Sequence, residues 1–294
     1  MRSVHYLYLL IDREQNKKKV ERIFIFAAFS LFLVHIILIW FARNTALYPS
    51  LFDLLGQNYL SALYTPFSII LVYEVYFMIL AIPLSFTESI RKQYEIISLI
   101  IIRRVFKDIS EFNTFEAVVG DSEKFLAIIF DLSGGIALFA LVAVFYHVSR
   151  DRTSRKETQK LQNFIRFKEV MSMGLAILLF VLAANSFFEW VREVYFASVG
   201  GMEYSLNVHT IFFEELFTVM IFSDVLIFIA SFLYSNKYEI LFRNAGYVAS
   251  TVLIRISLTV DDRYGILIEL GALLTGILVQ LVCRYFQWLD KDKK

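Results

Sequence analysis

Runs of mostly apolar residues, each long enough to cross a lipid bilayer, recur along the whole chain. This feature limits the fold more than any other, because a segment inside lipid must satisfy its own backbone hydrogen bonds. A spanning helix needs roughly 20 apolar residues. With 58% hydrophobic and 19% charged residues, the 294-residue chain is too apolar for a soluble domain. The sequence therefore predicts an all-α membrane protein with several transmembrane helices.

Charged residues between the runs assign an orientation to the predicted spans. Basic loops are retained in the cytoplasm, and residues 148–168 carry seven Lys or Arg against two acids. Taken alone, Ser89–Ile109 is also consistent with an interfacial amphipathic helix, but the basic loop would then lie outside the cell. Counting this stretch as a span places both termini in the cytoplasm. The eight predicted spans are Ile23–Ala42, Tyr59–Phe86, Ser89–Ile109, Phe125–Tyr146, Val170–Val191, Ile211–Ser235, Arg243–Val260 and Gly265–Phe286.

Two of these spans share a pattern of arginines. Arg91 and Arg103 have the same twelve-residue spacing as Arg243 and Arg255. In each half, one acid lies on the span before the arginine helix and another on the span after it. These acids are Glu74 and Asp131 in the first half and Asp224 and Glu269 in the second. Because each unit has four spans, an even number, the two units share one orientation, and the pattern predicts two parallel four-helix repeats.

The repeat divides the chain into a basic cytoplasmic arm, two membrane units, a linker and a tail. These parts are residues 1–22 (arm), 23–147 (repeat 1), 148–169 (basic cytoplasmic linker), 170–287 (repeat 2) and 288–294 (tail). Three of the spans, the fifth, seventh and eighth, are rich in small residues. Small side chains let helices approach closely where lipid removes the usual hydrophobic drive, so these spans are predicted to pack against other helices.

A depth estimate brings three charges of each half to a similar level. At about 1.5 Å per residue, Glu74, Arg103 and Asp131 lie roughly 18 to 21 Å from the inner face of a roughly 30 Å core. The second half gives the same result for Asp224, Arg255 and Glu269. The first arginines, Arg91 and Arg243, are predicted to be anchors at the inner interface.

Ionisable residues within spans are costly, so they normally pair inside the bundle and mark function. An arginine stays charged but neutralises only one carboxylate, so the second acid of each triad should be protonated or should hold a cation or water. A proton or cation pathway would use such an arrangement. The alternative of equal weight is that each triad is buried glue that fixes the helix register.

Catalytic and metal-binding patterns are not evident in the sequence. One cysteine, Cys283, excludes a multi-cysteine metal site, and the four histidines show no ligand spacing. We find no nucleophile–base pair, phosphate loop or nucleotide fingerprint. We therefore expect no enzyme activity, no metal, no cofactor and no nucleic-acid partner.

The second half, about residues 170–287, resembles the phosphate-starvation-inducible E (PsiE) family of small four-span bacterial membrane proteins. The resemblance rests on the Asp224 helix, on Leu241-Phe-Arg243 followed by Thr251-Val-Leu-Ile-Arg255, and on the Glu269 helix. The first half resembles the family more faintly, through the charges named above. The resemblance implies a tandem duplication in the bacterial cytoplasmic membrane, and it implies no particular activity.

The buried charges favour a channel or transporter for protons or small cations that uses Glu74, Arg103 and Asp131 together with Asp224, Arg255 and Glu269. The alternative is a membrane scaffold, or a stress-response protein, whose triads are structural. The partners expected from the sequence are the lipid bilayer, a second copy of the chain in a homo-oligomer, and anionic lipid at residues 148–168. A solvated connector is the other interpretation of that basic segment.

Overall fold

The computed structural model describes residues 2–45, 59–110, 122–150, 159–199, 208–234, 238–258, 260 and 262–292. Of these residues 94% are helical and none is in a strand, which confirms the predicted all-α class. A short helix, α1 (Arg2–Asp12), precedes eight longer ones. These are α2 (Glu14–Thr45), α3 (Tyr64–Leu80), α4 (Phe86–Ser110), α5 (Ser122–Val148), α6 (Gln159–Val199), α7 (Val208–Ser231), α8 (Tyr238–Ser257) and α9 (Asp262–Asp292).

Five of the described helices are long and apolar enough to cross a bilayer. Each of them overlaps one predicted span, and together they are typical of a membrane protein. The stretches that could cross a bilayer are Glu14–Asn44, Tyr59–Leu80, Phe125–Val148, Leu161–Arg192 and Tyr264–Leu289. The three other predicted spans coincide with α4, α7 and α8, which are helical but fall outside this group.

Two prolines set the ends of α3 instead of kinking it. Pro66 lies in the first turn, where a helix has no use for the missing N–H. A single 3₁₀ turn, Tyr59–Leu63, precedes α3, and Pro83 lies in the turn that follows it. The predicted boundary of this span was therefore wrong: α3 ends at Leu80, and Phe86 begins the next helix.

The predicted arm and linker are largely the beginnings of longer helices. Residues 14–22 belong to α2, and residues 159–169 belong to α6. Residues 151–158 of the basic linker lie outside the described residues, as do residues 293–294 of the tail. Near the N-terminus the arm is helical as α1, and Tyr8 of this helix is buried with its hydroxyl donating to the carbonyl of Leu80 at 3.0 Å.

Helices that follow one another in the chain pack together within each half: α2 to α3, α3 to α4 and α4 to α5, and likewise α6 to α7, α7 to α8 and α8 to α9. Across the halves, α5 packs against α9, α4 against α8, and α3 against α6. One continuous hydrophobic core joins both halves. Its fully buried members include Tyr94 on α4, Phe145 on α5 and Tyr247 on α8.

Glycines mark where helices cross most closely. A Cβ on Gly276 of α9 would overlap the hydroxyl of Tyr94, and a Cβ on Gly135 of α5 would lie 2.8 Å from Ile102. By contrast, Gly174 on α6 and Gly271 on α9 have no atom within 4 Å of such a Cβ. Close packing at a glycine is therefore seen at Gly276 in the eighth predicted span, whereas Gly174 in the fifth has open space around it.

Basic side chains gather at one end of the bundle, where α3 ends and α4 begins. Arg91 near the start of α4 donates to Ser149 just after α5 at 2.8 Å, and Lys168 of α6 donates to the carbonyl of Leu84. Arg284, near the end of α9, lies at the same end and donates to a carbonyl at the end of α5 at 2.9 Å. We call this end, defined by Arg91, Lys168 and Arg284, the basic end.

The opposite end, where α4 ends and α9 begins, is the far end. Here the rings of Phe67 on α3 and Phe106 on α4 stack with centroids 4.5 Å apart. Arg104 of α4 approaches Glu269 of α9 at this end. The alternation of the ends shows that sequential helices run antiparallel through the bundle.

Candidate functional site: buried acids and arginines

The first half contains one buried ion pair between neighbouring helices. Arg103 near the end of α4 pairs with Glu74 of α3, and their side chains are 13% and 11% exposed. Asp131 of α5 is also buried. Its neighbours Gly134 and Gly135 lie against Ile266 of α9 and Ile102 of α4, so this part of α5 lies between those two helices. The structure therefore brings Glu74 and Arg103 together and buries the third predicted member nearby.

The second half has the matching pair in a more polar setting. Arg255 of α8 pairs with Asp224 of α7, with side chains 1% and 9% exposed. The hydroxyl of Thr251, one turn before Arg255 on α8, donates to Asp224 at 2.9 Å. The other guanidinium nitrogen of Arg255 donates to Gln93 of α4 at 3.3 Å. An arginine has five N–H donors, so it can bind several groups at once. Here the contacts hold the pair between three helices, α4, α7 and α8.

Glu269 of α9 is completely buried and has contacts from both halves. The hydroxyl of Ser257, at the end of α8, lies 3.0 Å from one of its carboxylate oxygens. A guanidinium nitrogen of Arg104 lies 4.0 Å from the same oxygen, at the limit of an ion pair. The sequence pattern groups Glu269 with Arg255, whereas the described contacts of Glu269 are with Ser257 and with Arg104 of the first half.

Four contributors to the site were missed from the sequence: Gln93, Arg104, Thr251 and Ser257. Arg104 was the residue with a readable signal, because a second arginine next to Arg103 in an apolar stretch is as costly to bury as the first. The other three are uncharged. Nothing in their spacing distinguishes them from the many polar residues that hydrogen-bond their own helix.

The two predicted anchors differ in their surroundings. Arg91 lies at the basic end, where it donates to Ser149 and Glu88 and its guanidinium lies 5.1 Å from the ring centre of Tyr146. Arg243 of α8 is buried within the bundle. Both arginines lie near the start of their helices, and their role as anchors at the inner interface stays a prediction.

A small cavity leads from the basic end to the Asp224–Arg255 pair. Its lining is half polar, with Lys168, Ser89, Gln93, Asp224 and Thr251, and half apolar, with Ile82, Phe86, Ile90, Ile227 and Val248. Its volume, counted for the centres of water molecules, is about 30 Å³. Since one water needs roughly 10 to 15 Å³ by this measure, the cavity has room for about two waters.

Among the described residues, no group of three or more His, Cys, Asp or Glu side chains is arranged to hold a metal ion. Comparison of this chain with protein-family profiles, with curated proteins and with solved structures found no match. The resemblance to the PsiE family therefore stays a prediction. The function is argued below from the geometry of the buried charges.

Proposed function

We propose that this chain is an eight-span membrane protein, built as two parallel four-helix units, that passes protons along its buried acids. The observation that carries the proposal is the cavity that runs from Lys168 at the basic end to the buried Asp224–Arg255 pair. Water beside a buried carboxylate supplies what proton exchange needs, a donor and acceptor within hydrogen-bond reach.

The lengths of α4, α7 and α8 support eight spans. They contain 25, 24 and 20 residues, so at about 1.5 Å per residue each is long enough to cross a roughly 30 Å core. The charges that make two of them less apolar, Arg103 on α4 and Arg255 on α8, are paired inside the bundle. Such burial is how ionisable residues are accommodated in membrane helices.

The basic end supports the orientation. Arg91, Lys168 and Arg284 gather there, and the positive-inside tendency assigns that end to the cytoplasm. Both termini then lie in the cytoplasm, because α2 begins and α9 ends on this side. The equivalent contacts of α4 with α8 and of α5 with α9 support two parallel units related by an axis along the membrane normal.

Glu269 is the best candidate for an exchangeable proton. Ser257 has one hydroxyl hydrogen but two oxygen neighbours, the carbonyl of Ile254 at 2.6 Å and Glu269 at 3.0 Å. If the hydrogen goes to the closer carbonyl, the contact between Ser257 and Glu269 is a hydrogen bond only when the carboxyl of Glu269 donates, and that carboxyl then carries a proton. Asp224, which accepts from both Arg255 and Thr251, is the charged partner. Helix α8 connects the two acids, because it packs against both α7 and α9.

A proton-flux measurement tests the proposal. The protein is reconstituted into liposomes that enclose a pH-sensitive dye, and a pH gradient is applied with the membrane potential clamped. We expect wild-type protein to dissipate the gradient, and Asp224→Asn or Glu269→Gln to slow it by about a hundredfold, the usual contribution of a positioned proton-transfer group.

The matched control is Glu189→Gln, which removes an exposed acid of α6 outside the buried cluster and should leave the flux unchanged. Wild-type flux equal to that of empty liposomes, or equal flux in all variants, would refute proton transfer. Replacing the proton gradient with a sodium or potassium gradient in the same vesicles decides between protons and small cations.

A structural role is the second candidate, and the hydrogen bonds around Arg255 favour it. Thr251 and Gln93 hydrogen-bond this pair, and these contacts join α4, α7 and α8 in one network. In a scaffold of this kind, Asp224→Asn lowers the yield of folded protein, and neither wild type nor variant carries flux. The yield and the flux are therefore measured on the same preparations.

A further inference from the structure

Lys168 closes the basic end of the cavity that leads to Asp224. Its ammonium donates to the carbonyl of Leu84, in the turn between α3 and α4. The rings of Phe86 and Phe164 flank the ammonium, with their centres 5.6 and 5.4 Å from the nitrogen. The residue is only 3% exposed. The amine of Lys168 and two aromatic rings therefore lie together at the basic end of the cavity.

The beginning of α6 is itself held in place by α1. Glu169, the residue after Lys168, is buried and accepts a hydrogen bond of 2.7 Å from His5 of α1. Tyr8 of α1 donates to the last residue of α3, the helix that leads into the Leu84 turn. The contacts of α1 therefore hold both the start of α6 and the end of α3.

We propose that Lys168 is a charge gate for the cavity: its ammonium repels cations from the basic end while it is bound to Leu84, and admits them when it swings away. This inference rests on the proposed function, since the gate controls entry to the same buried acids. The long apolar stem of lysine allows the ammonium to reach solvent while the stem stays packed between the rings. Release of the hydrogen bond to Leu84 is the one change needed to open the mouth.

Accessibility of a cysteine inside the cavity tests the gate without requiring transport. Val248 lines the cavity on α8 and is close to cysteine in size. Val248→Cys is introduced into a Cys283→Ser background, in inside-out vesicles. Silver ion serves as a cation of about the size of water, and the neutral reagent methyl methanethiosulfonate serves as a reference for the reactivity of the thiol. Unreacted thiol is counted afterwards with a maleimide in denaturant.

We expect Lys168→Met, which keeps the stem and removes the charge, to accelerate the reaction with silver ion by about tenfold, the lower range for a field at a charged cleft. The reaction with the neutral reagent should change less than about twofold, because the charge of the lysine neither attracts nor repels an uncharged molecule. Lys168→Arg should keep the reaction with silver ion slow. The matched control is Lys92→Met, which removes an exposed lysine at the same end that is paired with Glu95 and should leave both rates unchanged.

Equal silver rates in wild type and Lys168→Met would overturn the gate, and so would equal acceleration of both reagents, which indicates general loosening of the helices. Elution of each variant as a single species from size-exclusion chromatography shows that it is folded. A positive result together with absent proton flux refutes the proposed function alone. Flux together with an unchanged silver rate refutes the gate alone.

Discussion

The two ion pairs occupy matching positions in the two halves, yet their surroundings differ. Arg103 is 13% exposed and Arg255 only 1%, whereas the two acids, Glu74 and Asp224, are buried alike at 11% and 9%. In the second half Thr251 donates to the acid; its counterpart by the twelve-residue arginine pattern is Leu99, which is apolar and 46% exposed. The repeat thus keeps the charges and changes the hydrogen bonds around them. Of the two, the second pair is the one that borders the cavity.

The two halves also differ in the size of equivalent residues at the place where they meet. Tyr94 of α4 is fully buried against Gly276 of α9 and hydrogen-bonds Ser250 of α8 at 2.5 Å. Since the Ser250 hydroxyl donates to the carbonyl of Ala272 at 2.7 Å, Tyr94 is the donor in that bond. The counterpart of Tyr94 in the second half is Gly246. At the crossing of α4 and α9, Tyr94 fits because its neighbour is Gly276, and a larger residue at 276 would overlap the tyrosine.

Removing each arginine in turn is the strongest way to break the comparison. Arg255→Met leaves Asp224 as an uncompensated buried charge, and we expect it to lower the free energy of unfolding by about 3 to 5 kcal/mol. Arg103→Met should cost less, because the Arg103 side chain is 13% exposed against 1% for Arg255, so solvent already screens part of its attraction to Glu74. Titration with a denaturing detergent in mixed micelles measures both losses.

The double variant Asp224→Asn/Arg255→Met is the control for this prediction. It removes both charges, so it should recover most of the stability lost in Arg255→Met. Equal losses for the two single arginine variants would show that burial does not distinguish the pairs. Failure of the double variant to recover would show that Arg255 acts through packing and its bond to Gln93.

The second prediction concerns the crossing of the halves. Gly276→Ala places a methyl group against the Tyr94 hydroxyl, and we expect a loss of about 1 to 3 kcal/mol in the free energy of unfolding. Gly271→Ala, on the same helix with open space around it, should be neutral or stabilising by up to about 1 kcal/mol. Adding Tyr94→Phe to Gly276→Ala removes the hydroxyl and should restore part of the loss. The same mixed-micelle titration measures all three, and equal effects of the two alanines would contradict the crossing.

The positions of the helices and the two ion pairs could be predicted from the sequence, and the contacts between the halves could not. Apolar runs locate helices because the bilayer sets their length, and the spacing along each helix sets the depth of Glu74 and Arg103. The approach of Arg104 to Glu269 and of Gln93 to Arg255 depends on how each helix is rotated about its axis. Sequence periodicity fixes rotation poorly in helices that are apolar on most sides, since lipid and the bundle interior favour the same residues.

Helix ends were predicted less well, for a local reason. The span Tyr59–Phe86 was predicted to run past both of its prolines, but the first turn of a helix tolerates proline and the residue before proline disfavours helical geometry. Pro66 and Pro83 therefore mark the start and the end of α3. The same error hid the turn that contains Leu84, and with it the contact made by Lys168.

The smallest expected effect sharpens the comparison of the two pairs most directly. Thr251→Val keeps the shape of the side chain and removes the hydroxyl that donates to Asp224, so we expect a loss of about 1 kcal/mol. The reciprocal change at the matching position, Leu99→Thr, adds a hydroxyl on an exposed face and should stay within about 0.5 kcal/mol. If mixed-micelle titration finds the two changes equal, the hydroxyl of Thr251 contributes nothing specific, and the difference between the halves reduces to burial alone. If Thr251→Val is the more costly, the second half is stabilised by a donor that the first half lacks, and Asp224 keeps its charge because two groups donate to it.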